Sequence, residues 1–298
     1  MQSLEKISFA SILGPYKLLI EQELNEQIPL LGEKTPLRNA CEYALLNGGK
    51  RFRPALVLMI AKALGYGVDV LQSAMGVEFF HTASLIADDL PCMDDDKERR
   101  NMPTTHLVYG ESVALLATYG LISAGYGCLA KNARLLEGSA HPFAAQRDHL
   151  CLLALENAAD NTGLSGTTGG QFLDLAPPNL SLSLVREIIQ KKSGTLFEIS
   201  FVFGWLFGGG NPSFLAHVKK SAAHFGMAFQ IVDDFEDRQQ DALHGHALNV
   251  ANILGKDAAK VLFYEEINQF YETIKKLNLQ GSDLQSLAQL LEKQVESF

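Results

Sequence analysis

An apolar run, VEFFHTASLIA (Val77 to Ala87), leads straight into DDLPCMDDDKERR (Asp88 to Arg100), thirteen residues that hold five aspartates and two arginines. Few features constrain a fold more. The run belongs in an interior, so the chain must deliver mutually repelling carboxylates from the end of a core element, and such a cluster needs cations to neutralise it. A second cluster, DDFED (Asp233 to Asp237), follows the apolar HFGMAFQIV (His224 to Val232). A solvated helix end explains either cluster alone. Two of them, each closing an apolar helix, point to a site for metal and phosphate.

Apolar residues recur at three- and four-residue spacings, as in Leu284, Leu287, Leu290, Leu291 and Val295, and strictly alternating strand patterns joined by an Asn-Gly hairpin turn are absent. The chain therefore reads as all-α. Pro54 to Leu64 and Val77 to Ala87 are apolar nearly all round, which places both in the middle of a bundle. Thr35-Pro36 and Asn211-Pro212 have the form of an N-cap followed by Pro at the first helical position. Breaks at 65–69, 138–142, 177–183 and 208–212 are short and unlike flexible linkers, so one domain over 1–298 is expected.

With 298 residues, 47% of them hydrophobic, the chain can bury a substantial core. Its net charge of −9 argues against nucleic acid or anionic membrane as the main partner. Cys41, Cys92, Cys128 and Cys151 stand far apart with no C-x-x-C pair, which suits reduced thiols, a role in core packing and a cytoplasmic setting. The N-terminus lacks the continuous apolar region of a signal peptide. The later run Ile199 to Phe207 is far shorter than the roughly 20 residues of a span, so no stable membrane insertion is expected.

In DDFED, Asp233 and Asp237 lie one helical turn apart on one face with Asp234 beside them, while Glu236 falls on another face. Pro91 interrupts any regular helix between Asp89 and Asp94. Hard oxygen donors in this number suit Mg²⁺, which takes one or two carboxylates and completes its shell with waters and substrate phosphates. Zinc is disfavoured because no paired His or Cys accompanies the aspartates. Cations complete the pattern: GGKRFRP (Gly48 to Pro54) offers Lys50, Arg51 and Arg53 beside two glycines that let backbone approach an anion. Arg99 and Arg100 end the first cluster, and Lys191, Lys192 and Ser193 open another apolar segment. Together they describe a pocket for polyanionic substrates. His81, Gln171, Asp174 and Gln230 are polar residues in apolar settings that need partners.

These residues, in this order from about Tyr43 to Asp237, resemble the trans-isoprenyl diphosphate synthases, or polyprenyl synthetases. GGKRFRP resembles the family's GGK-R-x-RP element, DDLPCMDDDKERR its first Asp-rich motif, GGQFLDL its GGQ-x-x-D element, KSG its KTG, and FQIVDDFED its second Asp-rich motif. The resemblance implies an all-helical single-domain bundle around a deep central cavity, usually a homodimer. It implies condensation of isopentenyl diphosphate with an allylic diphosphate, with three Mg²⁺ stabilising the departing diphosphate. Carried over, Asp88, Asp94 and Asp233 become metal ligands, with Asp89, Asp234 and Asp237 as nearby ligands or supports. Lys50, Arg53, His81 and Arg100 match the isopentenyl diphosphate site, and Arg99, Lys192, Ser193 and Gln230 the allylic diphosphate site. The released diphosphate serves as base, so no side-chain base is expected. Ala83 and Ser84, just upstream of Asp88, fall where the family sets chain length; a small Ala83 implies a product longer than fifteen carbons, geranylgeranyl diphosphate ahead of farnesyl diphosphate. After the second motif this chain runs RQQDALHGHALNVANILGK and lacks the family's lysine-bearing loop. That loss favours the alternative of a non-catalytic partner subunit; retention of both Asp motifs and both arginines favours catalysis.

Overall fold

The computed structural model describes residues 8–178, 181–244 and 249–298, with backbone alone over 237–244. The chain is all-α. The helices are α1 (Phe9–Gln27), α2 (Pro36–Leu46), α3 (Phe52–Leu64) and α4 (Leu71–Asp88), then, after a short hairpin β1 (Glu98–Arg99) and β2 (Met102–Pro103), α5 (Thr105–Tyr109), α6 (Glu111–Leu135) and α7 (Arg147–Thr162). There follow α8 (Thr167–Leu175), α9 (Leu182–Ile188), a π-helical turn (Ile189–Gly194), α10 (Thr195–Gly208), α11 (Leu215–His244), α12 (Val250–Leu254), α13 (Lys256–Lys276) and α14 (Asp283–Ser297). Both expected starts are used: Thr35 accepts from the Arg38 amide at 3.3 Å and Asn211 from the Ser213 amide at 2.9 Å.

The described residues divide into two compact units. One comprises Tyr16–Ala159 and Phe203–Gly210. Its centre is α3, buried from Pro54 to Ala61 as its all-round apolar sequence requires. Gly204 lets its own segment approach α3 closely, since a Cβ there would lie 2.8 Å from the Val57 carbonyl. α4 packs along α6, where Gly125 leaves room for the Phe80 ring; a Cβ at 125 would meet it at 2.6 Å. Arg51 occupies a left-handed conformation (φ 51°) at the start of α3 and turns inward. It bonds Glu78, the Leu45 carbonyl and, at 2.7 Å, Glu21. Burial alone would lower its pKa, but Glu78 and Glu21 outweigh that and raise it. Arg51 is thus a structural cation, not part of an open phosphate cradle.

The other unit holds residues 8–15 with the described parts of Asp160–Val202 and Asn211–Phe298. Its core is aromatic: Phe197, Phe201, Phe225 and Phe270 pack with ring centroids 5.1–6.4 Å apart, each buried ring contributing roughly 1.5–3 kcal/mol. α14 presents Leu284, Leu287, Leu290, Leu291 and Val295 to this interior, as their spacing predicts.

One expectation needs correction. Cys92 is exposed, so core packing describes Cys41 and Cys128 but not all four cysteines. Among the described residues, the 25-residue α6 is long and apolar enough to cross a membrane by length and composition alone.

Candidate active site

In the first unit, α4 ends at Asp88, and the chain turns so that the Asp94 amide donates to the Asp88 carbonyl at 2.9 Å. Pro91 forbids the next helical turn. Asp88 is half-buried and Asp94 exposed. A carboxylate on the last residue of a helix meets the negative end of the peptide dipoles, an arrangement that nearby positive charge relieves, and Arg99 lies within electrostatic reach of Asp88. Asp89 differs. It is buried, and its Oδ1 accepts from Arg99 Nη2 at 2.5 Å and Nε at 3.0 Å, while Arg99 Nη2 also reaches Asp96 Oδ2 at 2.7 Å. Burial raises the Asp89 pKa despite the opposing pull of Arg99. In this structure Arg99 is therefore committed to two protein carboxylates.

The hairpin carrying both arginines was not foreseen. Glu98 pairs with Pro103 and Arg99 with Met102, and the two turn residues, Arg100 and Asn101, have φ of 57° and 62°. This is the mirror-image turn that suits strand twist; Asn tolerates it readily, and an Arg adopts it only when held. The holding is visible: Arg100 Nη1 donates to the Gly48 carbonyl and lies 3.4 Å from Asn47 Oδ1. Its guanidinium covers Gly49, where φ is +117° and a Cβ would fall 2.6 Å from Arg100 Cζ. GGKRFRP and the double arginine thus form one construction. Tyr43 Oη donates to the Pro103 carbonyl at 2.6 Å and Thr104 Oγ1 to the Asp96 carbonyl at 2.9 Å, fastening the hairpin with residues no motif singled out.

His81 is half-buried with Nε2 3.4 Å from Arg53 Nη1. Burial and the charges of Arg53, Arg100, Arg51 and Arg99 hold its pKa well below the ordinary histidine range, so it is neutral at pH 7. Arg53, His81 and Arg100, three of the four residues assigned to isopentenyl diphosphate, share this positive field; Lys50 stands exposed just before α3. Crowded cations with one uncharged imidazole form a receptor for a dense anion. Ala83 is fully buried on α4, and the Ser84 hydroxyl donates to the His81 carbonyl at 2.8 Å.

In the second unit, the π-turn widens the backbone at Lys191, Lys192 and Ser193, a device that re-aims side chains. Lys192 pairs with Asp174 of α8, and Lys191 pairs with Glu187 at 2.7 Å. The approach depends on Gly170: a Cβ there would lie 2.5 Å from the Lys192 amide. On α11, Asp233 is half-buried and Asp234 buried. Asp234 Oδ1 accepts from Gln230 Nε2 at 3.0 Å and Oδ2 from the Val250 amide at 2.7 Å, and its carbonyl accepts from Asn249 Nδ2 at 2.8 Å. Gln230 thus bonds Asp234 in this structure, and Asn249 is a supporting residue the sequence reading missed. Glu236 is exposed, as its face predicts. The side chain of Asp237 and residues 245–248 of the altered loop lie outside the described residues.

Residues 34–249 match the polyprenyl synthetase family. The chain belongs to that family. It is 34% identical over 303 residues to geranylgeranyl pyrophosphate synthase 4 of Arabidopsis thaliana, covering 96% of this chain and 78% of the relative. To farnesyl diphosphate synthase of Geobacillus stearothermophilus it is 35% identical over 235 residues, 78% of this chain and 76% of the relative. The crystal structure of an FPP/GFPP synthase from Zymomonas mobilis superposes with a TM-score of 0.77 at 27% identity, covering 94% of this chain and 97% of that one. The polyprenyl synthetase described here is a prenyltransferase of the geranylgeranyl and farnesyl diphosphate synthase type, a class whose substrates are isopentenyl and allylic diphosphates.

Proposed function

We propose that this prenyltransferase condenses isopentenyl diphosphate with allylic diphosphates in a Mg²⁺-dependent reaction, with geranylgeranyl diphosphate as its main product. The observation that carries the reading is the juxtaposition in one unit of a cation-demanding helix end, Asp88, with an anion receptor built from Arg53, His81 and Arg100. The donor set fits Mg²⁺: carboxylate oxygens alone, without thiolate or imidazole, at a helix C-terminus that favours positive charge. In the first unit Asp88 and Asp94 would hold metal, and in the second the resemblance gives Asp233 the same role; the metal would supply charge neutralisation at the allylic diphosphate. Asp89 and Asp234 act as positioning carboxylates, each tied to a protein donor. Within its own unit, Arg99 would exchange part of its carboxylate pairing for phosphate oxygens when a diphosphate binds, and Lys192 could do the same with its Asp174 pairing. As its carbon–oxygen bond breaks, the pair of electrons stays on diphosphate; the alkene of isopentenyl diphosphate attacks the cation, and the departing proton goes to the released diphosphate. Buried apolar helix faces exclude the water that would otherwise trap the cation.

Product length is read from α4. Ala83 is a small buried residue one turn from Phe80 on α4, and the Phe80 ring meets Tyr126 edge-on with centroids 5.0 Å apart. The floor of the chain-length pocket is then Phe80 with Tyr126. Ala83→Tyr shortens the product and Phe80→Ala lengthens it; unchanged product distributions in both would remove the floor from α4. Leu107, Val108, Leu115, Leu116, Tyr119, Leu152 and Leu155 are exposed on α5 to α7, an apolar surface that a second copy of this chain covers in a homodimer. Four unpaired cysteines support a cytoplasmic setting. The deciding experiment incubates the purified protein with isopentenyl diphosphate and dimethylallyl, geranyl or farnesyl diphosphate, with and without Mg²⁺, and sizes the products. Mg²⁺-dependent C20 diphosphate is expected. No product from any starter would leave the non-catalytic partner subunit as the reading.

A further inference from the structure

Thr82 lies on α4 between His81 and Ala83, 2% exposed, and no protein group reaches its buried hydroxyl. A hydroxyl withdrawn from water without a partner is unfavourable, so one this deep calls for a specific neighbour. Thr82 lines a small cavity of about 10 Å³ together with Asn47, Asp89, Arg99, Arg100 and Thr105. That is about the room one water requires, and the lining supplies the two to four polar partners a buried water uses.

We propose that one water molecule occupies this cavity, bonded by Thr82 Oγ1, and that Thr82 is a positioning residue of the reaction. The water joins α4, which carries Asp88 and Asp89, to the guanidinium groups of Arg99 and Arg100 on the hairpin. It thereby sets the spacing between the first acidic motif and the isopentenyl diphosphate receptor. Arg100 ties the hairpin to the Gly48–Gly49 loop, and Arg99 ties it to Asp89; the water under Thr82 makes these two attachments one rigid unit. The inference rests on the reading of Arg100 as an isopentenyl diphosphate ligand.

Two measurements test it, and only the second depends on activity. High-resolution crystal structures of wild type, Thr82→Val and Thr82→Ser should show a water within hydrogen-bonding distance of the residue-82 hydroxyl and of Asp89, Arg99, Arg100 or Asn47 in wild type and in the Ser variant. The water should be lost in the isosteric Val variant. No water in wild type, or a Thr82 hydroxyl donating to a carbonyl of its own helix, overturns the proposal whatever the protein synthesises. In steady-state assays, Thr82→Val should raise KM for isopentenyl diphosphate roughly five- to tenfold with kcat within about twofold of wild type, and Thr82→Ser should restore it. An unchanged KM, or a fall in kcat alone, also overturns the proposal. A wild-type protein without activity would instead sink the catalytic reading and leave the crystallographic test standing.

Discussion

The two acidic motifs use the same residue pair in different ways. In each, one of two adjacent aspartates is buried and bonded by the protein, but Asp89 is held by a guanidinium and Asp234 by a backbone amide and a neutral carboxamide. The first motif lies beyond a helix end and needs the Arg99–Arg100 hairpin to give it shape. The second lies within a continuous helix and is held by uncharged donors, Gln230 on the same helix and Asn249 and Val250 at the start of α12. A motif on irregular backbone thus recruits charge for its support, whereas one on a helix is supported by the ladder itself.

The sharpest test of that contrast concerns the other aspartate of each pair. Asp88→Asn and Asp233→Asn should each reduce product formation by roughly 10²–10³-fold, measured with labelled isopentenyl diphosphate, because each removes charge stabilisation of the leaving group. A variant within tenfold of wild type would remove its motif from the mechanism. Next come the supporting carboxylates, read by urea denaturation. Asp89→Asn should lose about 2–3 kcal/mol, since Arg99 keeps its charge without its closest acceptor. Asp234→Asn should lose only about 1 kcal/mol, because its remaining oxygen still accepts from Val250. Equal losses would erase the distinction between charged and neutral support.

Smaller effects probe the hairpin side. Gly49→Ala strains a left-handed φ and displaces Arg100; KM for isopentenyl diphosphate should rise roughly tenfold, about 1.4 kcal/mol of binding, while affinity for the allylic substrate stays near wild type. The smallest is a pH effect at His81. Its folded pKa is depressed, so below the ordinary value of about 6.5 the unfolded chain takes up a proton the folded chain refuses. Stability should therefore fall as pH drops below that value, by up to about 1.4 kcal/mol per unit until the folded pKa is reached. His81→Asn should flatten that part of the pH–stability curve, and an unaltered slope would show that the surrounding arginines do not act on the imidazole.

Much of this was legible in the residues. Periodicity marked the buried helices α3 and α4, the Thr35 and Asn211 starts followed from cap chemistry, and Pro91 announced the end of α4. What stayed hidden was which of several similar side chains faces inward. Arg51 and Arg53 are two residues apart, yet the left-handed backbone at Arg51 turns it onto Glu78 and Glu21 while Arg53 meets His81. The hairpin escaped notice because two-residue strands have no alternation to read, and its turn uses Arg-Asn rather than Asn-Gly.

The sequence by itself determined that this protein is helical, that two apolar helical runs lead into clustered carboxylates, and that basic residues exist to meet phosphate. Those properties follow from spacing and charge, which are local. Only the tertiary structure decided that Asp89 and Asp234 are supports, that Arg100 docks on the Gly48–Gly49 loop, and that Thr82 lies beneath both arginines. Each of these depends on partners from another turn or helix, 10 residues away for Asp89, 16 for Asp234 and 52 for Arg100, or on backbone turns whose φ values a chain adopts only when packing holds it there.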